Sequence, residues 1–350
     1  MLSIQKDGQS CSSFSRLLGD ATSSFFSTVY EKDFLHVSRR SPDYFRDLFT
    51  IRDAEEVLWK HEPHIREFVR FHNDGKDVVA PSDIGPLDAA TWAFAQYGNG
   101  TTIIINALEN YHLRLSQFVR DLEIFIEARV SVAAYLTPTG ARAFGVHFDT
   151  HDVLIAQIEG SKTYDLFIDK ATPVLPLRRQ QTEVDSKSLD SPIATITLDA
   201  GDVLYIPRGM VHVAKTHNDR SLHLTFSLHP AKVSDLASIA LELAAESNPS
   251  LRSSLFNHNG ESELHALIDA LGKLLGAPLT LDGVLARQRQ RFIGRLRPLP
   301  SRRLESGLAV SALHRDDWLE KSDGSVCSIV KTSSALHLGF PGLGIVRDDD

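Results

Sequence analysis

Cysteine is almost missing from this chain: two in 350 residues, Cys11 and Cys327, far apart and in no partner motif. That leaves no disulfide framework to read and fits a reduced, cytoplasmic protein. An excess of basic charge is missing too, with a formal net charge of −8, so an overall basic surface for nucleic acid is not on offer. Long apolar runs are also lacking. The longest, such as "TTIIINAL", fall well short of a bilayer, and no membrane association is expected. The opening "MLSIQKDGQS" has no basic start followed by an apolar stretch, which argues against a secretory signal. No internal repeat is visible. What remains is 42% hydrophobic and 23% charged, the composition of an ordinary globular protein with enough chain for a sizeable core.

Three stretches of different character follow one another. Up to about residue 130 the chain reads as mixed helix and loop. "DAEEVLWKHEPHIREFVRFH" is helical with Pro63 interrupting it, and "PLDAATWAFAQYGNG" is a helix closed by Gly98 and Gly100. "TTIIINAL" is strand-like, and "SQFVRDLEIFIEARV" is a helix capped by Ser116, with Phe118, Leu122, Phe125 and Ile126 on one face. From 131 to 230, "SVAAYLTP", "VLIAQIEG", "KTYDLFI", "ATITLDAGDVLYIP" and "SLHLTFSLHP" are short runs between Gly, Pro and Asp turns, the pattern of a sandwich or barrel. After 230 helical periodicity returns. Leu264, Leu267, Ile268, Leu271, Leu274 and Leu275 form a stripe suited to core or to a subunit contact. The basic segment 287–303 reads as a solvated helix end and linker rather than an RNA grip.

The chemistry concentrates in "GVHFDTHDVLIAQIEGSK", residues 145–162. Polar side chains this dense on a core strand are unfavourable unless something binds them. On a strand His147 and Asp149 share a face, about 7 Å apart at Cα, close enough to converge on one metal. His212, in "YIPRGMVH" after a strand and a Pro-Gly turn, is the third candidate. Two imidazoles and one carboxylate on one side of an ion leave the other side open, which suits non-haem Fe(II). His151 has the same parity but lies about 13 Å from His147, so it reads as a hydrogen-bonded neighbour.

"YLTPTGARAFGVHFDTHDVLIAQIEGSKTYDLF" together with "LDAGDVLYIPRGMVHVAKTHNDRSLHLTFS" resembles the JmjC-type cupin oxygenases that depend on Fe(II) and 2-oxoglutarate. Within them it is most similar to the bacterial branch related to the ribosomal oxygenases. The resemblance covers roughly residues 14–230. It implies an α+β protein: a double-stranded β-helix (cupin, or jelly-roll) core at 131–230, an N-terminal helical and β region at 1–130 packed on it, and C-terminal helices at 231–350. It further implies that His147, Asp149 and His212 are the iron ligands and the catalytic centre. Lys162 falls on the basic residue that pairs with the distal carboxylate of 2-oxoglutarate. Tyr135 and Thr225 match positions that line the cosubstrate pocket. Many relatives read Asn-x-Tyr where this chain has Ala133-Ala134-Tyr135, so an amide near the metal is missing here.

The expected function is therefore an Fe(II)- and 2-oxoglutarate-dependent hydroxylase. It would use O2 to modify an amino-acid side chain of a protein or peptide, a ribosomal protein among the candidates, and pair as a homodimer. Two alternatives remain beside it. One is a hydroxylase of a free amino acid or small peptide natural product, which the missing amide keeps open. The other is a metal-binding cupin that serves as a structural or sensing module without turnover. Residue by residue, the bland readings are a hydrogen-bonded polar cluster for the triad, an exposed residue of a hairpin at "EGS" for Lys162, and plain sheet residues for His223 and Tyr135.

Overall fold

The computed structural model describes residues 11–85, 88–177, 182–216, 219–252, 254, 265, 268–269, 272–273, 278–297, 299, 328–331, 336–340 and 344–348. These fall into two compact units, one within residues 1–126 and 130–229, the other within 127–129 and 230–350.

The first unit is built on ten strands: β1 (Leu35–Val37), β2 (Val69–Asn73), β3 (Lys76–Asp77), β4 (Thr102–Ile105), β5 (Arg129–Thr137), β6 (Asp152–Phe167), β7 (Ala194–Asp199), β8 (Val203–Ile206), β9 (Val211–Lys215) and β10 (Ser221–His229). Hydrogen bonding orders them β1-β8-β6-β10-β5-β4-β2-β3, with β7 and β9 both on β6. The 16 residues of β6 belong to two faces. Val153–Ala156 pair with β8, and the same half pairs with β10, whereas Ser161–Phe167 pair with β7 and β9. One strand thus passes from the larger sheet to the smaller, and the two sheets enclose an interior. This is the double-stranded β-helix, an α+β fold once its flanking helices are added.

The passage is made at Gly160, where φ is +65° and a Cβ would stand 1.8 Å from the carbonyl oxygen of Arg220. Only glycine fits there. The hairpin expected at "EGS" is therefore a bend within one continuous strand. A second departure lies in "FVRFH". The helix Ile51–Lys60, closed at its start by a Thr50/Asp53 capping box, gives way beyond Pro63 to a short turn of helix and then to β2. Val69 and Phe71 are buried and pair with Ile105 and Ile103, and this sheet pairing overrides the helical pattern. The helix Leu113–Ile126 begins three residues before Ser116, whose hydroxyl donates back to the His112 carbonyl at 3.1 Å instead of capping.

Strand alternation sorts the side chains. Val130, Val132, Ala134 and Leu136 of β5 and Leu222, Leu224, Phe226 and Leu228 of β10 turn outward. They share one buried cluster with Phe14, Leu17, Phe118 and Leu122 of the N-terminal helices. Ser131, Ala133, Tyr135 and Thr137, and likewise His223, Thr225, Ser227 and His229, take the opposite parity and face the enclosed interior. Part of that interior is apolar: Val153, Ile155, Leu166, Ile196, Leu198, Leu204 and Ile206 cluster there with the Tyr164 ring.

In the second unit the helices Val233–Ser247 and Pro278–Arg295 bury Ile239, Ala240 and Val284. Three antiparallel strands follow, β11 (Ser328–Lys331), β12 (Leu336–Phe340) and β13 (Gly344–Asp348), which the expectation of C-terminal helices did not include. Of the leucine stripe, Ile268 is exposed, while Leu264, Leu267, Leu271, Leu274 and Leu275 lie outside the described residues. The basic segment is described up to Arg297 and at Leu299. Arg287 pairs with Glu246 at 3.1 Å, Arg291 with Glu242, and Arg289 with Glu127 at 3.8 Å, so these arginines serve ion pairs of their own unit. No helix among the described residues is long and apolar enough to cross a membrane.

Candidate metal centre and cosubstrate pocket

His147, Asp149 and His212 converge: each offers one ligand atom, and the three atoms lie within 4.8 Å of one another. The way they are held differs from the strand picture. β6 starts only at Asp152, and the residues before it touch the sheet through isolated bridges from His147 to His212 and to Glu183. The backbones of His147 and His212 exchange two hydrogen bonds, of 3.1 and 2.7 Å. Gly209 N–H donates to the Asp149 carbonyl at 2.9 Å.

Each imidazole is also oriented. His147 Nδ1 lies 2.9 Å from the Gly145 carbonyl and His212 Nδ1 lies 3.1 Å from the Met210 carbonyl. A carbonyl oxygen can only accept, so each Nδ1 carries the proton and each Nε2 keeps its lone pair for a metal. His212 Nε2 stands 3.8 Å from Asp149 Oδ2. Burial, and then the neighbouring His147, push the His212 pKa down to about 4, which holds it in the neutral form a metal needs. His147 and Asp149 remain half-buried, so the cluster opens on one side.

Lys162 faces the same interior from β6, opposite Leu198 of β7. It is 4% exposed, and its ammonium donates to Thr137 Oγ1 at 3.1 Å. Among the described residues no carboxylate pairs with it. Burial alone lowers its pKa to about 7. Its Nζ lies 6.0 Å from the centre of the Tyr135 ring, and that ring stacks on His223 at 4.7 Å and 10°. His223 Nδ1 and the Tyr164 hydroxyl are buried without a partner. Burial, with the Lys162 charge behind it, pushes the His223 pKa far down. A buried cation without a counter-ion, two orphaned polar groups and a hydroxyl describe a pocket for an anionic, hydrogen-bonding guest.

The structure thus brings together His147, Asp149 and His212, sets Lys162 and the Tyr135 ring near one another in the same interior, and sets Thr225, half-buried, one strand alternation from His223 on the same face of β10. His151 stays outside the cluster, its ring 5.2 Å from that of His229. Thr137 and Tyr164 face this interior without having been singled out in the sequence pattern, and His223, there a plain sheet residue, joins them. Their signal was parity: Thr137 follows Tyr135 by two, Tyr164 follows Lys162 by two, and His223 precedes Thr225 by two. Ala133 lies on the pocket face of β5 and is half-buried, so the missing amide is missing from the interior itself.

A rolled pair of sheets holding two imidazoles and a carboxylate at its rim defines a cupin metal centre, and its donor set fits Fe(II) with 2-oxoglutarate as the anionic guest. Residues 109–236 match the JmjC domain family. The chain is 29% identical over 245 residues to the Drosophila melanogaster bifunctional lysine-specific demethylase and histidyl-hydroxylase NO66, covering 68% of this chain and 37% of that one. It is 27% identical over 209 residues to the Dictyostelium discoideum protein of the same name, covering 59% and 40%. It therefore spans well under half the length of these relatives. Among solved structures, the Escherichia coli ribosomal oxygenase YcfD in complex with cobalt and 2-oxoglutarate superposes with a TM-score of 0.56 at 14% identity, over 93% of this chain and 85% of that one, a likeness of fold.

Proposed function

We propose that this chain is an Fe(II)- and 2-oxoglutarate-dependent oxygenase that hydroxylates an amino-acid side chain of a polypeptide. The observation that carries the reading is a buried ammonium with no carboxylate partner among the described residues, in the same interior as an open His-Asp-His cluster. His147 Nε2, His212 Nε2 and an Asp149 oxygen would hold the iron, and Lys162 and Thr137 would receive the far carboxylate of 2-oxoglutarate. Bound there, iron supplies the activation of O2 that no protein side chain can provide. The chain's residues orient and exclude. Gly145 and Met210 carbonyls fix the two imidazoles, and the apolar interior around Ile155, Leu166 and Leu204 closes the cosubstrate end to water. The stacked Tyr135 and His223 rings form a wall of the pocket.

Likeness to histidyl-hydroxylases and to a ribosomal oxygenase supports a polypeptide substrate, a ribosomal protein being the first to test. We carry the homodimer as part of the same proposal, to be read by light scattering. The test of the activity is succinate formation from 2-oxoglutarate with Fe(II) and O2, lost in both His147→Ala and Asp149→Ala. A host-lysate protein should gain the mass of one oxygen atom when the enzyme is present. Full turnover in both variants would overturn the oxygenase. Hydroxylation of free amino acids with no polypeptide modified would give the small-molecule reading, for which Ala133 leaves room. No succinate at all would leave a metal-binding cupin.

A further inference from the structure

Behind the metal cluster lies a charged group that takes no part in binding iron or cosubstrate. Asp152 is wholly buried, three residues past the ligand Asp149. Its Oδ1 accepts from the Tyr205 hydroxyl at 2.8 Å and from the Arg208 backbone N–H at 3.3 Å. Its Oδ2 accepts from Arg208 Nη1 at 3.2 Å. Arg208, 8% exposed, directs Nη2 to Glu31, and the Glu31 backbone N–H donates to the Tyr205 oxygen at 3.0 Å. Glu31 takes a φ of +58°, a left-handed conformation for a residue with a side chain.

We propose that Asp152 and Arg208, braced by Tyr205 and Glu31, are the positioning residues that set the metal ligands, by tying the segment of His147 and Asp149 to the turn that aims His212. The inference rests on the iron reading above. The path is short and continuous. Asp152 grips the backbone and the guanidinium of Arg208, which opens the turn Pro207–Met210, closed by Met210 N–H on the Pro207 carbonyl at 3.2 Å. From that turn Gly209 N–H reaches the Asp149 carbonyl, and the Met210 carbonyl receives His212 Nδ1–H. Moving the turn would therefore move one ligand directly and release the backbone of another.

Stability alone does not call for this group. Replacing a buried ion pair by well-packed apolar side chains is often neutral or favourable, so its presence here needs a role that geometry supplies. A planar guanidinium is suited to that role, because two carboxylates on separate segments fix its plane. The Arg208 Nε remains buried and unpartnered, so the pair is not even fully satisfied as a structural element.

Cobalt(II) binding without oxygen tests this without recourse to turnover. In wild-type protein, titration should give a one-to-one site with a visible absorption band. Asp152→Asn and Arg208→Gln should each weaken Co(II) by about 10-fold to 100-fold and alter the band, the usual effect of losing a partner that orients a ligand. Arg208→Lys, which keeps the charge but not the fork, should recover part of the affinity. Tyr205→Phe removes the hydroxyl that donates to Asp152 and accepts from Glu31 N–H, and should weaken Co(II) by roughly 3-fold to 10-fold, about the net worth of the one hydrogen bond that reaches Asp152. It decides the matter if the charge variants do not fold, as melting of the metal-free proteins will report. Co(II) affinity and spectrum equal to wild type in folded Tyr205→Phe, or in either charge variant, would overturn the inference while leaving the iron reading intact. A wild-type protein that takes up no Co(II) would instead overturn the iron reading.

Discussion

Replacing Lys162 by Met separates a lysine kept for a ligand from one kept for the fold. The ammonium is 4% exposed with Thr137 as its hydrogen-bond partner, and burial disfavours the charge and brings its pKa to about 7. Met conserves the length and most of the volume of the side chain and carries no charge to desolvate. The metal- and cosubstrate-free variant should melt no lower than wild type, and even somewhat higher. With 2-oxoglutarate the sign reverses. A charge-assisted hydrogen bond to a carboxylate in a partly dry site is worth about 1.5–3 kcal/mol. At about 1.4 kcal/mol per decade, its loss raises the Michaelis constant for 2-oxoglutarate roughly 10-fold to 150-fold. Metal affinity should scarcely change. The assay is succinate formation against 2-oxoglutarate concentration at pH 6.5, beside melting curves with and without 2-oxoglutarate. An unaltered Michaelis constant would refute the role. Arg142 and Arg208 could not easily substitute, since the first pairs with Asp74 and the second with Asp152 and Glu31. A fall of many degrees in the unliganded melting temperature would make Lys162 structural instead.

Two further outcomes follow from the same geometry. Above about pH 7 the free Lys162 is neutral while a bound carboxylate favours its ammonium, so binding takes up a proton. The Michaelis constant for 2-oxoglutarate should therefore be flat below pH 7 and rise by up to about tenfold per pH unit above it, and Lys162→Met should lose this limb. Gly160→Ala sets a Cβ against the Arg220 carbonyl at a φ of +65°, and should lower stability by at least about 1–3 kcal/mol in urea unfolding, whereas an unchanged midpoint would show that β6 does not bend there as described.

The convergence of His147, Asp149 and His212 was legible because the residue types are chemically distinctive: H-x-D and a histidine behind a Pro-Gly turn stand out wherever the backbone runs. The backbone itself was less legible. "VHFDTHDV" alternates like a strand, yet Asp149 leaves the ladder because its carbonyl bonds to Gly209, in a turn some sixty residues away. "EGS" looked like a hairpin tip because a local window shows only the glycine. The contact that makes it a bend is the Arg220 backbone on the neighbouring β10 connection. "VRFH" is a strand because β4 lies beside it. Thr137, Tyr164 and His223 escaped for a related reason. Parity assigns each to one of two faces, and which face is enclosed is settled only when β6 joins the two sheets.

The distribution of unsatisfied polar groups then bears on what the interior is for. A buried polar atom without a partner costs about 1–3 kcal/mol, and a fold under pressure for stability alone would fill such a space with apolar side chains. The interior does so in part, around Leu198, Leu204 and Ile206. Against that same apolar cluster, Lys162, Tyr164 and His223 are left incompletely partnered. The outward faces of β5 and β10, packed on the N-terminal helices, supply the apolar burial that lets the interior remain polar. A guest with one carboxylate for Lys162 and further oxygens for the metal would relieve both deficits at once, which is why its binding should stabilise the fold as well as start the chemistry.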